Sequence, residues 1–403
     1  MLPDGWTYAN LGEIASTVTS GSRDWAQYYS DAGDKFVRMT NLSRDGVRIS
    51  ENDMKYVAIP PDSSDGKRTS LKNGDILISI TAELGKIGLV PKGFGTAFIN
   101  QHLALVRLKN GTASSPFVAY ALSSKKLNQK LNSLNDAGAK AGLNLSTIRS
   151  FPLALPPLPE QKKIAAILST WDRAIEGTEK LLANSQQQKK ALMQQLLTGK
   201  KRLPGFRGAW ETKRLKSISK IYDGTHQTPD YVETGIPFYS VEHLTSGEFN
   251  NTKFISDEVY QNESRKRKIE KNDTLLTRIG DIGTAKLIDW DVRASFYVSL
   301  ALIKANKIMS PKFFECALNS ESFKRELWHR TIHVAFPKKI NLGDIGDCSI
   351  RFPHLPEQEA IAAVLSTADE EITAIESDLL RLRQEKKALM QQLLTGKRRV
   401  KVD

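Results

Sequence analysis

Two long stretches of the chain repeat apolar side chains in alternating steps of three and four residues. The first seam contains Ile164, Leu168, Trp171, Ile175, Leu182, Leu192 and Leu196, and the second contains Ile361, Leu365, Ile372, Ile375, Leu379, Leu389 and Leu393. The steps between them are completed by Thr178, Ser185 and Lys189 in the first seam and by Ala368, Leu382 and Lys386 in the second. A seam of this period predicts coiled-coil helices. Pro159 and Pro356 suit the first helical turn, and Gly199 and Gly396 suit the position just beyond the end. We therefore expect two helices of about 40 residues, each roughly 60 Å long.

The two helical stretches are copies of one another. Leu158-Pro159-Glu160-Gln161 returns 197 residues later as Leu355-Pro356-Glu357-Gln358, and the segment 189–200 returns unchanged as 386–397. Repetition at a fixed offset indicates a duplicated architecture. The expected order is a variable domain over 1–155, a shared helix over 156–199, a second variable domain over 200–352, and a second helix with a basic tail over 353–403.

The variable segments carry strand and helix patterns of a mixed α/β kind. Alternating or continuous apolar runs predict strands at 75–80 and 103–108 in the first domain, and at 274–279 and 296–304 in the second. Amphipathic stretches at 116–134 and 311–328 predict one helix each. Because each long helix joins opposite domains by short junctions, antiparallel pairing is the simplest arrangement. The predicted fold class is α+β, with two pseudo-symmetric mixed α/β domains separated by a pair of long antiparallel coiled-coil helices.

Charge and composition narrow the class of protein. The 403 residues include 58 Lys and Arg against 45 Asp and Glu, a formal charge of +13 that favours an anionic partner such as nucleic acid. No apolar run reaches the roughly 18 residues of a membrane span. The start lacks the pattern of a secretory signal. The two cysteines, Cys316 and Cys348, cannot build a disulfide framework or a zinc site, which fits a reducing cytoplasm.

The basic residues are clustered, and the clusters have two interpretations. Arg265-Lys266-Arg267-Lys268 is a run of four, while Lys200-Lys201-Arg202 and Lys397-Arg398-Arg399 follow the two long helices. Clustered cations suit a phosphate backbone, from which they release counterions. Cations at a helix C-terminus also interact favourably with the helix dipole without any ligand. For the two terminal runs both interpretations stay open.

Catalytic motifs are missing from the pattern. Gly85-Lys86 fails the phosphate-loop motif because Ile80 stands at its first glycine and Ile87 follows the lysine. His329 and His333 have the spacing of a zinc pair, but no acidic residue or third ligand accompanies them. We therefore expect no catalytic or metal site on this chain. A self-contained enzyme on nucleic acid with a diffuse site, and a coiled-coil adaptor that binds only proteins, remain alternatives.

With its duplicated Leu-Pro-Glu-Gln motif and the repeated helix ending at Lys200 and Lys397, the chain resembles the specificity (S) subunit of type I restriction–modification systems. Gly74-Asp75-Ile76-Leu77 is similar to a strand motif of that family, and Asn272-Asp273-Thr274-Leu275 departs from it. The resemblance implies a DNA-binding subunit whose two target recognition domains each read half of a bipartite site in the major groove. It implies helices that set the half-site spacing and dock the modification subunits.

The resemblance also implies partners and cofactors. The partners would be double-stranded DNA, two modification subunits that methylate adenine, and two restriction subunits that translocate and cleave. S-adenosylmethionine, ATP and Mg²⁺ would then belong to those subunits, and none would be bound by this chain. Base-reading candidates are polar or charged residues, mostly in loops: Ser22, Arg23, Thr225, His226, Gln227 and Arg278. Candidate phosphate contacts are Lys140, Arg265, Lys266, Arg267, Lys338 and Lys339.

Overall fold

The computed structural model describes residues 2–60, 66–134 and 142–402, except the side chain of Lys266. By its internal contacts the chain divides into two compact units, Met1–Glu179 with Ser377–Asp403, and Lys180–Glu376. The division falls inside both long helices, so each unit contains a mixed α/β domain and half of each helix. The boundaries predicted from the sequence follow the repeat instead and stay predictions.

The described residues of the first unit's domain form short strands and short helices. Its strands are β1 Thr7–Asn10, β2 Ala15–Ser20, β3 Tyr29–Ser30, β4 Asp34–Val37, β5 Lys55–Val57, β6 Ile76–Ser79, β7 Ile87–Leu89, β8 Ala97–Ile99, β9 Leu103–Leu108 and β10 Pro152–Leu155. Its helices are α1 Leu11–Ile14, α2 Ser115–Ser123, α3 Lys125–Ser133 and α4 Leu145–Arg149, with short 3₁₀ turns at Trp25–Tyr28 and Met39–Asn41. The long helix α5 follows at Leu158–Leu196.

The domain of the second unit repeats this order. Its strands are β11 Glu211–Arg214, β12 Ser219–Asp223, β13 Tyr231–Val232, β14 Ile236–Tyr239, β15 Lys253–Ile255, β16 Thr274–Ile279, β17 Asp281–Leu287, β18 Ser295–Phe296, β19 Leu300–Ala305 and β20 Ser349–Phe352. Its helices are α6 Leu215–Ile218, α7 Val241–Ser246, α8 Asp257–Arg267, α9 Pro311–Leu318, α10 Glu321–Arg330 and α11 Leu342–Asp347, followed by the long helix α12 at Leu355–Leu393.

The two domains have equivalent sheet topologies, as the duplication in the sequence predicts. The first domain has sheets ordered β2-β9-β6-β7 and β3-β5-β4-β8 and a pair β1-β10, and the second has β12-β19-β16-β17, β13-β15-β14-β18 and β11-β20. The pairs β4-β8 and β14-β18 are parallel, while the other pairs are antiparallel. The predicted fold class, two mixed domains of one design with a long helix after each, is confirmed.

Each domain buries its main sheet on both faces. In β6, Ile76 and Ile78 belong to a core that includes Phe117 of α2 and Leu168 of α5, while Leu77 faces a second core with Val37 of β4. Successive side chains of a strand point to opposite faces, so one continuous apolar strand can serve two cores. The sequence run Ile-Leu-Ile is therefore explained by burial on both faces.

The departure from the family strand motif in the second half leaves its local geometry unchanged. Gly74 has φ +83° and Asn272 has φ +75°, and asparagine is one of the few residues that adopt this conformation readily. The next residue is a buried aspartate in both domains. Asp75 pairs with Arg107 at 2.6 Å, and Asp273 pairs with Lys304 at 2.6 Å. The two strands therefore begin with the same turn and with an equivalent ion pair, in spite of the sequence change.

The predicted helices over 116–134 and 311–328 are each broken in two. Ser124 and Ser320 have extended backbones and stand as N-caps of the second pieces, α3 and α10. The Ser320 hydroxyl accepts the amide proton of Phe323 at 3.3 Å. A cap of this kind lets the chain turn between two helices that the apolar pattern joins. The predicted strand over 296–304 is likewise split into β18 and β19.

The repeated Leu-Pro-Glu-Gln motif joins each long helix to the domain before it. The Gln161 side chain accepts the Ser114 amide at 2.9 Å and donates to the Pro156 carbonyl at 2.8 Å. Gln358 does the same with Ser310 and Pro353, at 2.9 and 2.8 Å. A buried amide whose groups are satisfied on both sides fixes the direction in which the helix leaves the domain.

Within the first unit, the two helices run in opposite directions. Asp172 of α5 pairs with Lys386 of α12, and Glu179 pairs with Arg383 at 2.7 Å. As the residue number rises along one helix it falls along the other, which defines antiparallel pairing. In this region Ile164 and Leu168 of the predicted seam are fully buried, and Leu393 is 2 % exposed.

The second unit pairs the other halves of the helices in the same sense. The Ser185 hydroxyl donates to the Glu371 carboxylate at 3.4 Å, and Lys189 pairs with Asp369. Every predicted seam residue is buried or half-buried. The prediction of an antiparallel helix pair with a heptad seam is therefore confirmed within each unit. No helix in the described part of the chain has the length and apolarity needed to cross a membrane.

Candidate nucleic-acid interface

Equivalent loops leave the main sheet of each domain after β2 and β12. Each begins with a glycine packed against backbone: a Cβ on Gly21 would lie 2.1 Å from the Asn100 carbonyl oxygen, and one on Gly224 would lie 2.3 Å from that of Tyr297. Only glycine allows this close approach. Ser22 and Thr225 then form single parallel bridges to Asn100 and Tyr297. Both loops are thereby fixed between the two sheets of their domain.

In the first domain, the loop presents Arg23 to solvent and Ser22 beside a second arginine. The Arg68 guanidinium donates to Thr19 at 3.1 Å and to the Ser22 hydroxyl at 3.5 Å. Arg68 is itself exposed. The Ser22 hydroxyl therefore lies beside one exposed arginine and is followed in the chain by another, and guanidinium groups suit phosphate or guanine contacts. Lys140, the other predicted contact of this domain, lies outside the described residues.

In the second domain, Thr225 and His226 have different surroundings. Thr225 is 5 % exposed, and its hydroxyl donates to Glu263 of α8 at 2.8 Å. His226 is exposed and lies 2.6 Å from the Asp223 carboxylate, and Gln227 is exposed beside it. His226 and Gln227 are therefore accessible to a base edge, whereas the Thr225 hydroxyl is already engaged.

Arg278 is buried rather than presented to solvent. Its guanidinium pairs with Asp223 at 2.5 Å and donates to the carbonyls of Val298 and Ile340 at 3.1 and 3.2 Å. Its side chain is 9 % exposed. An arginine with this many protein acceptors holds the strand and the loop in place. This geometry favours a positioning role for Arg278 over the base contact predicted from the sequence.

The basic run of α8 lies next to this loop. Glu263, which accepts from Thr225, also pairs with Arg267 one helical turn later. Arg265 is exposed on the same helix, and the side chain of Lys266 lies outside the description. Part of the predicted phosphate-binding run is therefore brought to the reading loop of the second domain through Glu263.

Lys338 and Lys339 reach the same edge from a separate segment. The Gly280 amide, just after β16, donates to the Lys338 carbonyl at 2.8 Å, and the Arg278 carbonyl accepts the Ile340 amide at 3.0 Å. Both lysines are exposed. Lys338 lies 60 positions after Arg278 in the sequence, and nothing in the sequence indicates that the two segments meet. Sequence reasoning also missed Arg68, whose only sequence signal is the dipeptide Lys67-Arg68.

Among the residues described, the edge lacks the side-chain cluster of a metal site. No cluster of three His, Cys, Asp or Glu side chains there could hold a metal ion. The His333 Nε2 donates to the Trp328 carbonyl at 3.0 Å, and its ring packs against the Trp328 ring. What this edge offers instead is exposed guanidinium, ammonium, imidazole and amide groups, the groups that contact phosphates and base edges.

Known proteins resemble this chain along both of its halves. The profile of the type I restriction modification DNA specificity domain matches residues 3–184 and again residues 208–382. The chain is 25% identical to the type I restriction enzyme MjaVIII specificity subunit of Methanocaldococcus jannaschii, over 99% of this chain and 94% of that one. It is 25% identical to the EcoBI specificity subunit of Escherichia coli, over 66% of this chain and 61% of that one.

Solved structures share the fold. The S subunit of a type I restriction–modification system from M. genitalium aligns with a TM-score of 0.62 at 16% identity, over 96% of both chains. A chain from a study of assembly and conformational transition in the type I system aligns with a TM-score of 0.61 at 17% identity, over 98% of this chain and 99% of that one. Because the specificity-domain profile matches both halves, the protein belongs to the family of type I restriction–modification specificity subunits.

Proposed function

We propose that the chain selects the DNA target of a type I restriction–modification complex, and that each of its two domains reads one half of a bipartite site. The observation that carries the proposal is the duplication: one specificity-domain profile matches twice, and both matches have the same sheet order and the same glycine-anchored loop. Two readers of one design suit two separate half-sites better than one continuous site.

The reading itself is proposed to occur in the major groove. There each base pair shows a distinct pattern of donors and acceptors, so a loop with arginine, histidine and glutamine side chains can tell all four apart. Arg23 with Arg68 would act in the first domain, and His226 with Gln227 in the second. The cations of α8 and of Lys338 and Lys339 would contact phosphates, which position the domain without reading sequence.

The long helices are proposed to set the half-site spacing and to dock the modification subunits. Each has 39 residues, which corresponds to about 58 Å at 1.5 Å per residue. Helix length would then determine how many unread base pairs separate the two half-sites. The complex would contain two modification subunits and two restriction subunits in the cytoplasm.

Catalysis is proposed to belong to those partners. In this assignment the modification subunits use S-adenosylmethionine, the restriction subunits use ATP and Mg²⁺, and this chain binds none of them. Its residues would place the target, hold the loops against the duplex and dock the subunits that act.

Methylome sequencing of a strain that expresses the chain with its modification subunit tests the proposal. We expect methylated adenines in one bipartite motif with a fixed gap. Exchange of residues 1–155 for the equivalent domain of a relative should change one half of the motif and leave the other intact. A single uninterrupted motif, or a swap that alters both halves, would contradict the proposal.

Two further measurements separate the alternatives. A protein-only adaptor would show no duplex binding, whereas a DNA-reading subunit should lose affinity steeply as salt concentration rises. A self-contained enzyme would turn over when the purified chain is incubated with DNA and S-adenosylmethionine or Mg²⁺. We expect salt-dependent binding without turnover.

A further inference from the structure

A short loop projects from the second domain beside its candidate interface. The Ile332 amide donates to the Lys339 carbonyl at 2.8 Å, and this bond closes the base of the loop. The base is joined to the end of β16 because the Gly280 amide donates to the Lys338 carbonyl, also at 2.8 Å. Residues 333–337 form the tip. The two bonds hold the base of the tip at the end of β16, the strand that contains Arg278.

The tip exposes two large apolar side chains. Val334 is 97% exposed and Phe336 is 104% exposed, and among the described residues the next most exposed large apolar side chain is Tyr8 at 69%. Isolated exposed apolar residues are common on protein surfaces, but an aromatic ring that touches nothing is unusual. These two side chains contribute nothing to the cores of the second unit.

Trp328 of α10 braces both arms of the loop. The His333 ring packs edge-on against the Trp328 ring with centroids 4.3 Å apart, and the Lys338 ammonium lies 4.7 Å from its centroid on the other arm. A cation over an aromatic face is held electrostatically as well as by packing. The loop is therefore supported on both sides while its tip stays free.

The segment that leads into the tip and away from it is rich in cations. Lys324, Arg325, Arg330, Lys338 and Lys339 are all exposed on α10 and on the loop. Glu326 is the one acidic residue between 324 and 339, and its carboxylate accepts the Ser349 amide at 2.9 Å. An exposed aromatic ring on a loop that also carries two exposed lysines matches a partner that offers flat apolar surfaces between anionic groups. Duplex DNA has this chemistry: stacked bases between two phosphate backbones.

We propose that Phe336, supported by Val334, is a wedge that enters the stack between two base pairs of the half-site bound by the second domain. The inference rests on the proposed function and extends it from reading base edges to deforming the duplex. Apolar side chains that insert at a base step unstack it and kink the helix. Pyrimidine–purine steps deform most easily, so the wedge adds sequence preference at a step that no hydrogen bond reads.

Fluorescence of 2-aminopurine tests the wedge directly, because the base is quenched when stacked and brightens when unstacked. The full-length chain is titrated onto 40-base-pair duplexes that contain the bipartite motif found by methylome sequencing. 2-Aminopurine replaces one adenine at a time through the second half-site and its flanks. We expect a several-fold rise in fluorescence at one step with the wild-type chain and no rise at the others.

The variants separate stacking from ordinary binding. Phe336→Ala should abolish the rise and weaken duplex binding by about tenfold, the size expected when one aromatic stacking contact with a base is lost. Phe336→Trp should keep the rise. Ile308→Ala removes another exposed apolar side chain of the same unit, 40% exposed, and should change neither quantity. Since Phe336 has no packing to lose, its variants should melt like wild type.

The outcomes are distinct. If the wild-type chain binds the duplex and no position brightens, or if the rise persists in Phe336→Ala, the wedge is wrong and the proposed function stands. If Phe336→Ala binds DNA normally but no longer recovers the modification subunit, the tip contacts protein and the wedge is wrong. If the wild-type chain binds no duplex at all, the wedge and the proposed function fail together.

Discussion

Arg399 holds the carboxylate of Glu160 in a two-pronged ion pair, with Nε and one terminal nitrogen each 2.8 Å from a carboxylate oxygen. Glu160 is 3% exposed and lies in the first turn of α5. Arg202 holds Glu357 in the same way, at 2.5 and 2.6 Å. One arginine in each basic run is therefore engaged by a buried glutamate in the first turn of the other long helix, a structural role that neither interpretation of the basic runs predicted.

Loss of either arginine should destabilise its own unit. Arg399→Ala leaves Glu160 buried without its cation, and Arg202→Ala does the same to Glu357, which is costly for a buried carboxylate. We expect both variants to unfold at lower urea concentration than wild type, by similar amounts. Lys397→Ala is the matched control because this exposed lysine holds no buried glutamate, and the variant should unfold like wild type. Unequal losses would contradict the equivalence of the two pairs.

The two ion pairs that the seam lysines make, Lys386 with Asp172 and Lys189 with Asp369, should differ in strength. The Lys386 side chain is 6% exposed, and its partner Asp172 also accepts the Tyr120 hydroxyl at 2.5 Å. The other pair is more exposed, since the side chain of Lys189 is 27% exposed and that of Asp369 is 40% exposed. We expect Lys386→Met to cost about 3 kcal/mol of unfolding free energy, because it strands a partly buried carboxylate.

Lys189→Met is the matched variant in the other unit. Its more exposed pair is screened by water, so we expect a loss below about 1 kcal/mol. Urea unfolding followed by circular dichroism measures both. Equal losses would mean that burial does not decide the strength of these pairs.

Substitution of Arg278 should mainly lower the stability of the fold, and should not act directly on DNA binding. Arg278→Met removes the ion pair with Asp223 and two bonds to carbonyls, and we expect a loss of about 3 kcal/mol in unfolding free energy. Arg23→Met, at an exposed loop position, should change stability by less than about 0.5 kcal/mol and weaken DNA binding instead. If Arg278→Met melts like wild type and only loses DNA affinity, the base contact predicted from the sequence is correct.

The two cysteines should resist ionisation in the folded chain. Burial raises the pKa of Cys316 from its usual 9.0 to about 11 and that of Cys348 to about 12. Above pH 9 the unfolded chain therefore releases these protons before the folded chain does, so the free energy of unfolding falls as pH rises from 9 to 11. Thiolate absorbance at 240 nm should appear near pH 9 in guanidinium and only at higher pH in buffer. Ionisation near pH 9 in buffer would contradict the burial.

Sequence periodicity predicted the parts of the fold that depend on local repetition. The seams of the long helices and the glycines after them could be read directly, and Gly199 and Gly396 both have φ +69°. The breaks at Ser124 and Ser320 could not, because an apolar pattern continues through them and the capping bond to Phe323 becomes visible only in three dimensions.

The candidate interface could be predicted from the sequence only in part. Polar loops pointed correctly to accessible residues such as His226, but the same reasoning treated Thr225 and Arg278 as free. Their partners, Glu263 and Asp223, lie 38 and 55 residues away in sequence, and pairing at that distance leaves no local signal. The exposed tip at Phe336 was missed for a similar reason, since its exposure depends on the bonds that close the loop.

The length of the helix pair should set the gap in the DNA target. Seven residues inserted after Glu179 in α5 and after Glu376 in α12 preserve the heptad seam in both helices and add about 10 Å. At 3.4 Å per base pair, we expect the methylated motif to gain about three unread positions while both half-sites stay the same. Methylome sequencing measures this gap. Four residues inserted in α5 alone shift its seam out of phase and should abolish methylation. A gap that stays constant after the paired heptad insertion would show that something other than helix length determines the spacing.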